Sequence, residues 1–379
     1  MKVDWLIVGA GFTGCTLAER LASQLGQKVL LIDRRNHIGG NAFDYYNEDG
    51  VLVHQYGPHI FHTNSRKVWE YLSAFTSWRP YYHHVLGVVE GRKIPVPFNL
   101  NSLEAVMPAA YAARLGDLLI RSFGFGTKVP ILKLRETPDE DLRFLANYIY
   151  DNVFRGYTMK QWECRPEELD ASVTGRVPVF ISRDDRYFQD TWQSMPRSGY
   201  TALFQRQLAH PNIRLMLQTD YREIADAVTF NRMIYTGPIN TFFGDLHGPL
   251  PYRSLRFEFT TLDTPQFQEV GTVNYPNEHD FTRITEQKYL TGQKLGKTTI
   301  VTEYPQPHIE GVNEPYYAVP REENRRLYDL YAAEAAKLNG SVIFAGRLAD
   351  YKYYNMDQAV ARALKVFDDI CAQRRGEAP

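Results

Sequence analysis

Cysteine is scarce in this sequence of 379 residues. Only Cys15, Cys164 and Cys371 are present, and they lie far apart along the chain. Three cysteines so spaced form neither a disulfide framework nor the paired pattern of a zinc site. Because disulfide-rich chains belong to oxidising compartments, we expect a protein of the cytoplasm, without a metal site.

The sequence also lacks an excess of charge of either sign and a long hydrophobic run. Lysine and arginine number 43 against 44 aspartates and glutamates, which gives a net charge of -1. A nucleic-acid partner is therefore not expected, since such proteins carry a basic surface. The apolar run Trp5–Val8 follows Asp4 and is interrupted by Gly9. It is too short for a signal peptide or a membrane span, and we expect no membrane partner.

Aromatic residues, in contrast, are abundant, with 25 tyrosines, 21 phenylalanines and 5 tryptophans. They have two interpretations. The rings fill a large core, or the tyrosines line a polar cleft where rings stack on bases or sugars and phenols form hydrogen bonds. Composition alone does not distinguish between the two.

The start of the chain has the pattern of a dinucleotide-binding βαβ unit. A strand over 3–8 leads to Gly9-x-Gly11-x-x-Gly14, an apolar helical pattern follows, and a second strand ends at Asp33. The glycines permit a tight turn and a close approach of a pyrophosphate to a helix N-terminus. Asp33 stands where such units bind a ribose hydroxyl. The alternative is an ordinary glycine-rich turn in a doubly wound sheet.

A second glycine pair, Gly39-Gly40, follows the ribose-binding acid closely. It resembles the extended motif of FAD enzymes of the glutathione reductase and amine oxidase type, where a second backbone segment approaches the flavin pyrophosphate. Rossmann domains that bind only a nicotinamide cofactor do not usually carry this pair. The motif therefore favours FAD as the cofactor.

The remainder of the chain predicts helices and strands of a different kind. Alternating residues predict a hairpin over 85–97, and 103–150 is largely helical. Within that stretch Thr137–Glu140 form a capping box that starts a helix, and Gly156 is expected to end it. Short alternating runs over 252–304 predict an antiparallel sheet.

These patterns predict an α/β fold with a discontinuous FAD-binding Rossmann-type domain, an inserted helical domain and an antiparallel β-sheet domain. The length is consistent with two or three structural units. The expected boundaries are 1–80, 190–245 and 318–379 for the FAD-binding domain, 100–170 for the helical domain with a mobile loop at about 168–180, and 81–99, 180–189 and 246–317 for the sheet domain.

Short strings along the chain resemble those of the bacterial UDP-galactopyranose mutase family. They are Tyr56–Thr63, Gly156–Trp162, Phe281–Glu286, Pro315–Tyr317, Gly346–Leu348 and Tyr351–Tyr353. The resemblance runs from residue 3 to about 370. It implies an isomerase that interconverts UDP-galactopyranose and UDP-galactofuranose with no net redox change. It also implies that N5 of reduced FAD attacks the anomeric carbon and that a flavin–sugar iminium lets the ring open and reclose.

The resemblance further implies roles for individual residues. Arg176, Arg283 and His62 match catalytic positions, the two arginines as fixed cations against the diphosphate leaving group. The positions that match substrate contacts are His83, Tyr157, Trp162, Arg176, Tyr187, Asn274, Arg283, Tyr317 and Tyr353. The positions that match cofactor contacts are Gly9, Gly11, Thr13, Gly14, Asp33, Arg34, Gly40, Asn41, His59, Ile60, Arg347, Tyr353, Asn355 and Met356.

Three positions depart from the family pattern. Asn355 stands where relatives carry aspartate, His83 stands where an asparagine often contacts substrate, and Val153 replaces a commoner phenylalanine near the uracil. None of the three changes removes an essential group. We expect them to shift affinity or the response to pH.

Two other functions fit parts of the same pattern. A flavin oxidoreductase of the amine oxidase type would share the fold and the Gly39-Gly40 pair, but it would not need two arginines placed for a diphosphate. A binding protein like the Rab escort and GDP-dissociation-inhibitor proteins would keep the architecture without catalysis, and the intact glycine fingerprint argues against it. For the mutase, the expected partners are UDP-galactose, a reductant such as NAD(P)H or a reductase, and a second copy of the chain in a homodimer.

Overall fold

The computed structural model describes residues 1–170, 175, 177–224 and 226–376. In it the chain forms two compact units. Unit 1 consists of Met1–Pro80, Asp190–Tyr252 and the chain from Glu323 onward, and unit 2 consists of Tyr81–Gln189 and Arg253–Glu322. None of the helices in these ranges is long and apolar enough to cross a membrane. Of the loop predicted at about 168–180, residues 171–174 and 176 lie outside the described residues.

The elements follow one another in mixed α/β order. The strands are β1 (Lys2–Val8), β2 (Val29–Ile32), β3 (Asp44–Tyr46), β4 (Leu52–His54), β5 (Phe61–Thr63), β6 (Trp78–Pro80), β7 (Val85–Val89), β8 (Arg92–Val96), β9 (Lys128–Val129), β10 (Val179–Phe180), β11 (Trp192–Pro196), β12 (Ile213–Met216), β13 (Thr229–Tyr235), β14 (Tyr252–Leu262), β15 (Thr272–Asn274), β16 (Arg283–Glu286), β17 (Thr298–Pro307), β18 (Tyr317–Ala318) and β19 (Val342–Phe344). The helices are α1 (Phe12–Leu25), α2 (Arg66–Ser73), α3 (Leu100–Val106), α4 (Ala109–Phe123), α5 (Ile131–Arg135), α6 (Glu140–Ile149), α7 (Gly156–Trp162), α8 (Gly199–Gln207), α9 (Tyr221–Ile224), α10 (Ile239–Phe242), α11 (Gln287–Thr291), α12 (Glu322–Ala336) and α13 (Met356–Arg375).

Unit 1 is built on a five-stranded parallel sheet in the order β12-β2-β1-β13-β19. All four residues of β2 are buried, and so are Leu6 and Ile7 of β1, as expected for a parallel sheet that is covered on both faces. Because β1 leads to β2 on one side and pairs with β13 on the other, the loop after β1 lies where the strand order reverses. Open α/β sheets bind their ligands at this point.

A three-stranded antiparallel sheet, β5-β11-β6, supports the strand that carries His62. One face packs on a stack of rings in which Phe61, Trp78, Trp69 and Trp192 follow one another at centroid separations of 4.8, 4.8 and 5.8 Å. Each such pair contributes about 0.5–1.5 kcal/mol beyond its buried area. Since side chains alternate along a strand, anchoring Phe61 in the stack directs His62 to the opposite face.

Unit 2 contains a seven-stranded sheet in the order β18-β14-β17-β16-β15-β7-β8. Neighbours from β14 to β15 are antiparallel, and so are β7 and β8, whose turn residues Glu90 and Gly91 both have positive φ as a two-residue hairpin requires. The predicted sheet is not antiparallel throughout, because β15 runs parallel to β7. The long stretch of chain between these two strands, which includes β8 to β14 and several helices, frees their relative direction from the constraint of a tight turn.

Helix α6 begins two residues later than the capping box predicts. Its N-cap is Asp139, whose Oδ1 accepts a hydrogen bond from the N–H of Leu142 at 3.0 Å. The prediction that Thr137 caps this helix was wrong, because the Asp139 carboxylate caps the free N–H of Leu142 and the first turn therefore starts at Glu140. The apolar stripe of the helix, which includes Leu145 and Ile149, is fully buried as expected.

Gly156 does not end the helix, contrary to the prediction. A π-helical turn, Tyr150–Arg155, links α6 to α7, and the backbone at Gly156 is itself helical with φ −62° and ψ −45°. The glycine is needed for a different reason, since a Cβ there would lie 2.5 Å from the carbonyl oxygen of Pro276 and from Oδ1 of Asn277. Its missing side chain lets α7 pack directly on that loop. Such π-turns occur frequently at functional sites.

Candidate active site

Two glycines at the junction of β1 and α1 stand where a side chain would clash. A Cβ on Gly9, whose φ is +103°, would lie 2.0 Å from Oγ1 of Thr236, and one on Gly14 would lie 1.9 Å from the carbonyl oxygen of Gly9. The N-terminus of α1 follows immediately, with Gly11 at its N-cap and no acidic side chain in its first turn. The bare backbone and the positive end of the helix form a cradle that fits a pyrophosphate.

The second glycine pair packs against the first glycine loop. A Cβ on Gly40 would lie 2.9 Å from Cα of Gly11, and the N–H of Gly39 donates to the carbonyl oxygen of Ala10 at 2.8 Å. The two loops therefore touch, backbone to backbone, beside the α1 N-terminus. This arrangement fits the extended pyrophosphate of FAD, as the motif predicts.

Asp33 is held in place by backbone amides. Its Oδ2 accepts from the N–H of Ala10 at 2.7 Å, and its Oδ1 accepts from the N–H of Arg35 at 2.9 Å. Because each carboxylate oxygen can accept more than one hydrogen bond, the side chain keeps capacity for a ribose hydroxyl. Arg34 is exposed beside it, and Nη1 of Arg35 donates to Oδ1 of Asn41 at 2.9 Å.

Two buried side chains hold the backbone of His59, which precedes Ile60. Nδ1 of His54 accepts from the His59 N–H at 3.1 Å, and the hydroxyl of Tyr200 donates to the His59 carbonyl oxygen at 3.1 Å. Burial lowers the pKa of His54 to about 4, so its ring is neutral and Nδ1 carries a lone pair. His54 and Tyr200 thus fix the segment that the sequence assigns to the flavin.

His62 pairs with a carboxylate that the sequence did not single out. Its Nδ1 lies 2.9 Å from Oδ2 of Asp190, whose Oδ1 accepts from Nδ2 of Asn64 at 2.8 Å. Since an ionised carboxylate only accepts hydrogen bonds, the His62 proton resides on Nδ1. The next residue, Thr63, donates to Oδ2 of Asp357 at 2.9 Å and so ties β5 to the first turn of α13.

Asp350 organises the segment between β19 and α13. Its Oδ2 accepts hydrogen bonds from the Gly346 N–H at 3.2 Å, the Tyr354 hydroxyl at 3.1 Å and Nε of Arg362 at 3.0 Å. A Cβ on Gly346, whose φ is +116°, would approach Oγ1 of the buried Thr13 to 3.1 Å. This segment therefore packs closely on the first turn of α1.

Three of the predicted cofactor residues lie in that segment, and a fourth, Met356, begins α13. The guanidinium of Arg347 lies over the ring of Tyr353, 4.7 Å from its centroid. Asn355 is the N-cap of α13, which begins at Met356, and its N–H donates to Oε1 of Gln358 at 2.9 Å. The twenty-residue α13 places the positive end of a long helix at this point.

In unit 2, Asn274, Arg283 and Glu303 lie opposite one another on β15, β16 and β17. Nε and Nη2 of Arg283 donate to Oε2 of Glu303 at 3.0 and 2.8 Å. Burial by itself would lower the pKa of Arg283, but the Glu303 carboxylate raises it well above the ordinary value, assisted by Tyr157 and Tyr317. The side chain of Glu303 is 2% exposed and that of Arg283 is 24% exposed, so the cation is the member that reaches the surface of the sheet.

Tyr157 and Trp162 stand at the two ends of α7. The Trp162 ring is 5.8 Å from that of Tyr317, and it packs with Cys164 and Leu169. Because Tyr157 and Tyr317 both affect the Arg283 guanidinium, unit 2 brings these predicted substrate residues to one region.

His83 and Tyr187 form a separate pair in the same unit. The Tyr187 N–H donates to the His83 carbonyl oxygen at 2.7 Å, and their rings lie edge to face at 5.8 Å. His83 is buried, with Nδ1 at 3.0 Å from the Tyr81 hydroxyl.

Arg176, the other predicted catalytic arginine, lies outside the described residues. Within the described ranges no group of His, Cys, Asp and Glu side chains is arranged to hold a metal ion.

Comparison with known sequences decides the family. A profile of UDP-galactopyranose mutase matches residues 152–353, more than half of the chain, and a profile of NAD(P)-binding Rossmann-like domains matches residues 7–75. The chain belongs to the UDP-galactopyranose mutase family. The family predicted from the sequence is confirmed, and so is the α/β fold with a Rossmann-like unit. The chain is accordingly an enzyme, a flavin-dependent isomerase, rather than an amine oxidase or a catalytically silent binding protein.

Individual members of the UDP-galactopyranose mutase family match the chain over its length. It is 35% identical over 369 residues to a probable UDP-galactopyranose mutase from Klebsiella pneumoniae, with 96% of this chain and 94% of that protein covered. It is 34% identical over 375 residues to a dTDP-fucopyranose mutase from Escherichia coli, with 97% of each covered. A crystal structure of reduced UDP-galactopyranose mutase shares the fold with a TM-score of 0.73 at 17% identity, covering 98% of this chain and 96% of that one.

Several residues that position the site were missed by the sequence analysis, among them His54, Asp190, Glu303 and Asp350. Of these residues only Glu303 could have been noticed from the local sequence. It lies in a strand rich in β-branched residues, where a buried acid is unfavourable unless it has a partner. Asp190 acts through His62, 128 residues away, whereas His54 and Asp350 act through nearby residues such as His59 and Tyr354 at spacings that form no recognised motif. No spacing rule could have found them.

Proposed function

We propose that this member of the UDP-galactopyranose mutase family interconverts UDP-galactopyranose and UDP-galactofuranose. The observation that supports this most is the family match over 152–353, because that stretch contains Tyr157, Trp162, Arg283 and Tyr317 and ends at Tyr353. When bound, reduced FAD would supply the nucleophile, N5, that displaces UDP from the anomeric carbon, so that the sugar ring can reclose in the other size without net redox change.

Unit 1 would hold the flavin. The two glycine loops support binding of the pyrophosphate, and Asp33 supports binding of the ribose. The N-terminus of α13 would stabilise negative charge on the reduced ring system, because it is the positive end of a long helix. We assign to FAD the predicted contacts Gly9, Gly11, Thr13, Gly14, Asp33, Arg34, Gly40, Asn41, His59, Ile60, Arg347, Tyr353, Asn355 and Met356, with His62 beside the flavin.

Unit 2 would hold the nucleotide sugar. A diphosphate leaving group needs a fixed cation, and Arg283 supplies one whose orientation is set by Glu303. Two of its five N–H groups are used in that pair, which leaves donors for phosphate oxygens. Arg176 would act with it. We assign the uridine to Tyr157 and Trp162, and further substrate contacts to His83, Tyr187, Asn274, Tyr317 and, in unit 1, Tyr353.

The test is to incubate the FAD-loaded protein with UDP-galactofuranose, with and without dithionite, and to separate both sugar nucleotides by HPLC. Conversion only under reduction would support the mutase and the need for reduced FAD together. No conversion in a flavin-loaded, reduced sample would refute the proposed reaction on this substrate. Conversion without reductant would keep the isomerase but contradict the proposed role of N5.

A second substrate is favoured by the dTDP-fucopyranose mutase, which matches this chain as well as the first relative does. The reaction would then act on a thymidine diphosphate 6-deoxy sugar through the same residues. The assay is repeated with dTDP-fucofuranose under dithionite, and kcat/KM is compared for the two substrates. A ratio of about tenfold or more, equal to 1.4 kcal/mol, in favour of either one assigns the physiological substrate.

Reductant, assembly and compartment are part of the same proposal. NAD(P)H or a reductase would reduce the flavin, the chain would act as a homodimer, and the enzyme would work in the cytoplasm. Anaerobic loss of the visible flavin absorbance after addition of NADH or NADPH tests the first point. Light scattering coupled to size-exclusion chromatography tests the second, and a single-chain mass would refute it.

A further inference from the structure

A buried arginine caps the C-terminal end of α7, the helix that carries Tyr157 and Trp162. Nε of Arg253 donates to the carbonyl oxygen of Gln161 at 2.9 Å, and its Nη2 donates to that of Lys160 at 3.4 Å. Carbonyls in the last turn have no partner within a helix, and that end of the helix is negative. The Arg253 side chain is only 5% exposed, and besides this helix end it contacts a carboxylate.

That carboxylate belongs to Glu163, which directly follows α7. Its φ is +55°, a left-handed conformation that strongly favours glycine. Nevertheless the chain has glutamate here, and Oε1 of Glu163 lies 2.7 Å from Nη1 of Arg253. Glutamate in this unfavourable backbone conformation, paired with a buried arginine, points to a function for the ion pair.

A third contact links α7 to the strand of Arg283. Nζ of Lys160 donates to the carbonyl oxygens of Tyr275 at 2.7 Å and Phe281 at 3.3 Å. These two residues flank the loop between β15 and β16, which is closed by a hydrogen bond from the Tyr275 N–H to the Thr282 carbonyl oxygen at 2.8 Å. Helix α7 is therefore fixed to β14 through Arg253 and to the loop ahead of Arg283 through Lys160.

We propose that Arg253 is a positioning residue for nucleotide binding. By capping α7 it holds Trp162 in its packing position against Tyr317, and it sets the affinity for the nucleotide without touching it. The inference rests on the proposed function, in which Tyr157 and Trp162 bind the uridine. Loss of the cap would let the last turn of α7 unwind, and the cost would fall on binding rather than on the reacting carbon.

The experiment measures UDP binding to the FAD-loaded full-length protein by calorimetry. Arg253→Met should raise the Kd for UDP about tenfold or more, equal to 1.4 kcal/mol. Arg253→Lys should recover part of the affinity, because a lysine can donate to the carbonyls but cannot form the planar fork. The matched control is Arg256→Met, an exposed arginine three residues along β14, which should leave the Kd unchanged. In turnover assays Arg253→Met should raise KM while kcat at saturating substrate and flavin content stay near those of the wild type.

The variant Trp162→Ala distinguishes a failure of the role proposed for Arg253 from a failure of the proposed uridine site. Wild-type UDP affinity in Arg253→Met beside a weakened Trp162→Ala would overturn the role of Arg253 alone. Wild-type affinity in Trp162→Ala would overturn the proposed uridine site itself. Should Arg253→Met fail to fold, Arg253→Lys carries the test, because it keeps the charge but loses the planar fork that reaches both carbonyl oxygens. We expect its Kd for UDP to lie above that of the wild type, and an unchanged Kd would refute the inference.

Discussion

Arg283 directs two of its N–H groups to a single oxygen of Glu303, Oε2. The other oxygen, Oε1, is buried and accepts no hydrogen bond from any residue that the structure describes. The Glu303 carboxylate therefore orients the Arg283 guanidinium through one of its two oxygens only. Glu303 is buried and charged, so the stability of the folded protein depends on its pairing with Arg283. Removal of either residue leaves the charge of the other without a partner.

Replacing Glu303 by glutamine should impair both turnover and stability. The amide keeps the size but removes the charge that orients Arg283, so we expect turnover to fall at least about tenfold with flavin retained. The free energy of unfolding should fall by about 2–4 kcal/mol, as for other broken buried pairs. Denaturant unfolding and the HPLC assay measure the two effects. The control is Glu258→Gln, which breaks an exposed pair with Arg256 and should leave both the turnover and the free energy of unfolding near those of the wild type.

Arg283→Ala and Arg176→Ala should each abolish turnover while FAD stays bound. The flavin contacts assigned above lie in unit 1, so loss of a cation for the diphosphate should leave the visible flavin spectrum intact. Turnover is measured by HPLC on samples matched for flavin content. Near-normal turnover in either alanine variant would remove that arginine from the proposed mechanism.

Gly40→Ala should yield a protein with little bound flavin. The new Cβ would lie 2.9 Å from Cα of Gly11 and would separate the two glycine loops. Gly26→Ala is the matched control, because Gly26 has a similar φ of +64° but nothing within 4 Å of the added Cβ. Both variants bear a left-handed strain of about 1 kcal/mol, and only Gly40→Ala should lose the flavin absorbance relative to protein. Equal flavin content in the two variants would contradict the assigned cradle.

Acid should destabilise the folded protein through His54. Burial lowers its folded pKa to about 4 from the ordinary 6.5, so the unfolded chain binds a proton in a range where the folded protein does not. The contribution is complete above pH 6.5 and is lost as the pH falls towards 4, with a total of about 3 kcal/mol. His54→Asn keeps an acceptor for the His59 N–H but does not titrate. Unfolding free energies measured from pH 7 to 4 should therefore fall less steeply in His54→Asn than in the wild type, and parallel slopes would refute the assignment.

The opening of unit 1 could be predicted because its signals are local. The glycine spacing, the apolar helix stripe and Asp33 all lie within 33 residues, and β1, α1 and β2 form where the pattern indicates. The interpretation of Gly39-Gly40 also agrees with the observed contact between Gly40 and Gly11. These features are determined by residues close in sequence, to which periodicity and turn rules apply.

Other features depend on partners that no local pattern reveals. Gly156 resembles a helix stop, yet a loop 120 residues later requires its missing side chain. Arg253 caps a helix that ended about 90 residues earlier in the chain. Thr137 has a side chain of the type that caps helices, but Asp139, two residues later, caps α6 by accepting from the Leu142 N–H. Tertiary contacts such as those of Gly156 and Arg253 are not recorded in the local pattern of a single sequence.

The discontinuity of unit 1 has a consequence for synthesis on the ribosome. The central strand β1 is made first, but its neighbour β13 follows more than 220 residues later, and β19 and α13 come after the whole of unit 2. Non-local pairings of this kind close slowly, and an incomplete sheet exposes unpaired edges. The sheet of unit 1 can therefore be completed only after β19 has emerged, whereas all of unit 2 has been made at Glu322. Premature termination after β18 would leave the parallel sheet of unit 1 without its last strand and with an open, aggregation-prone edge.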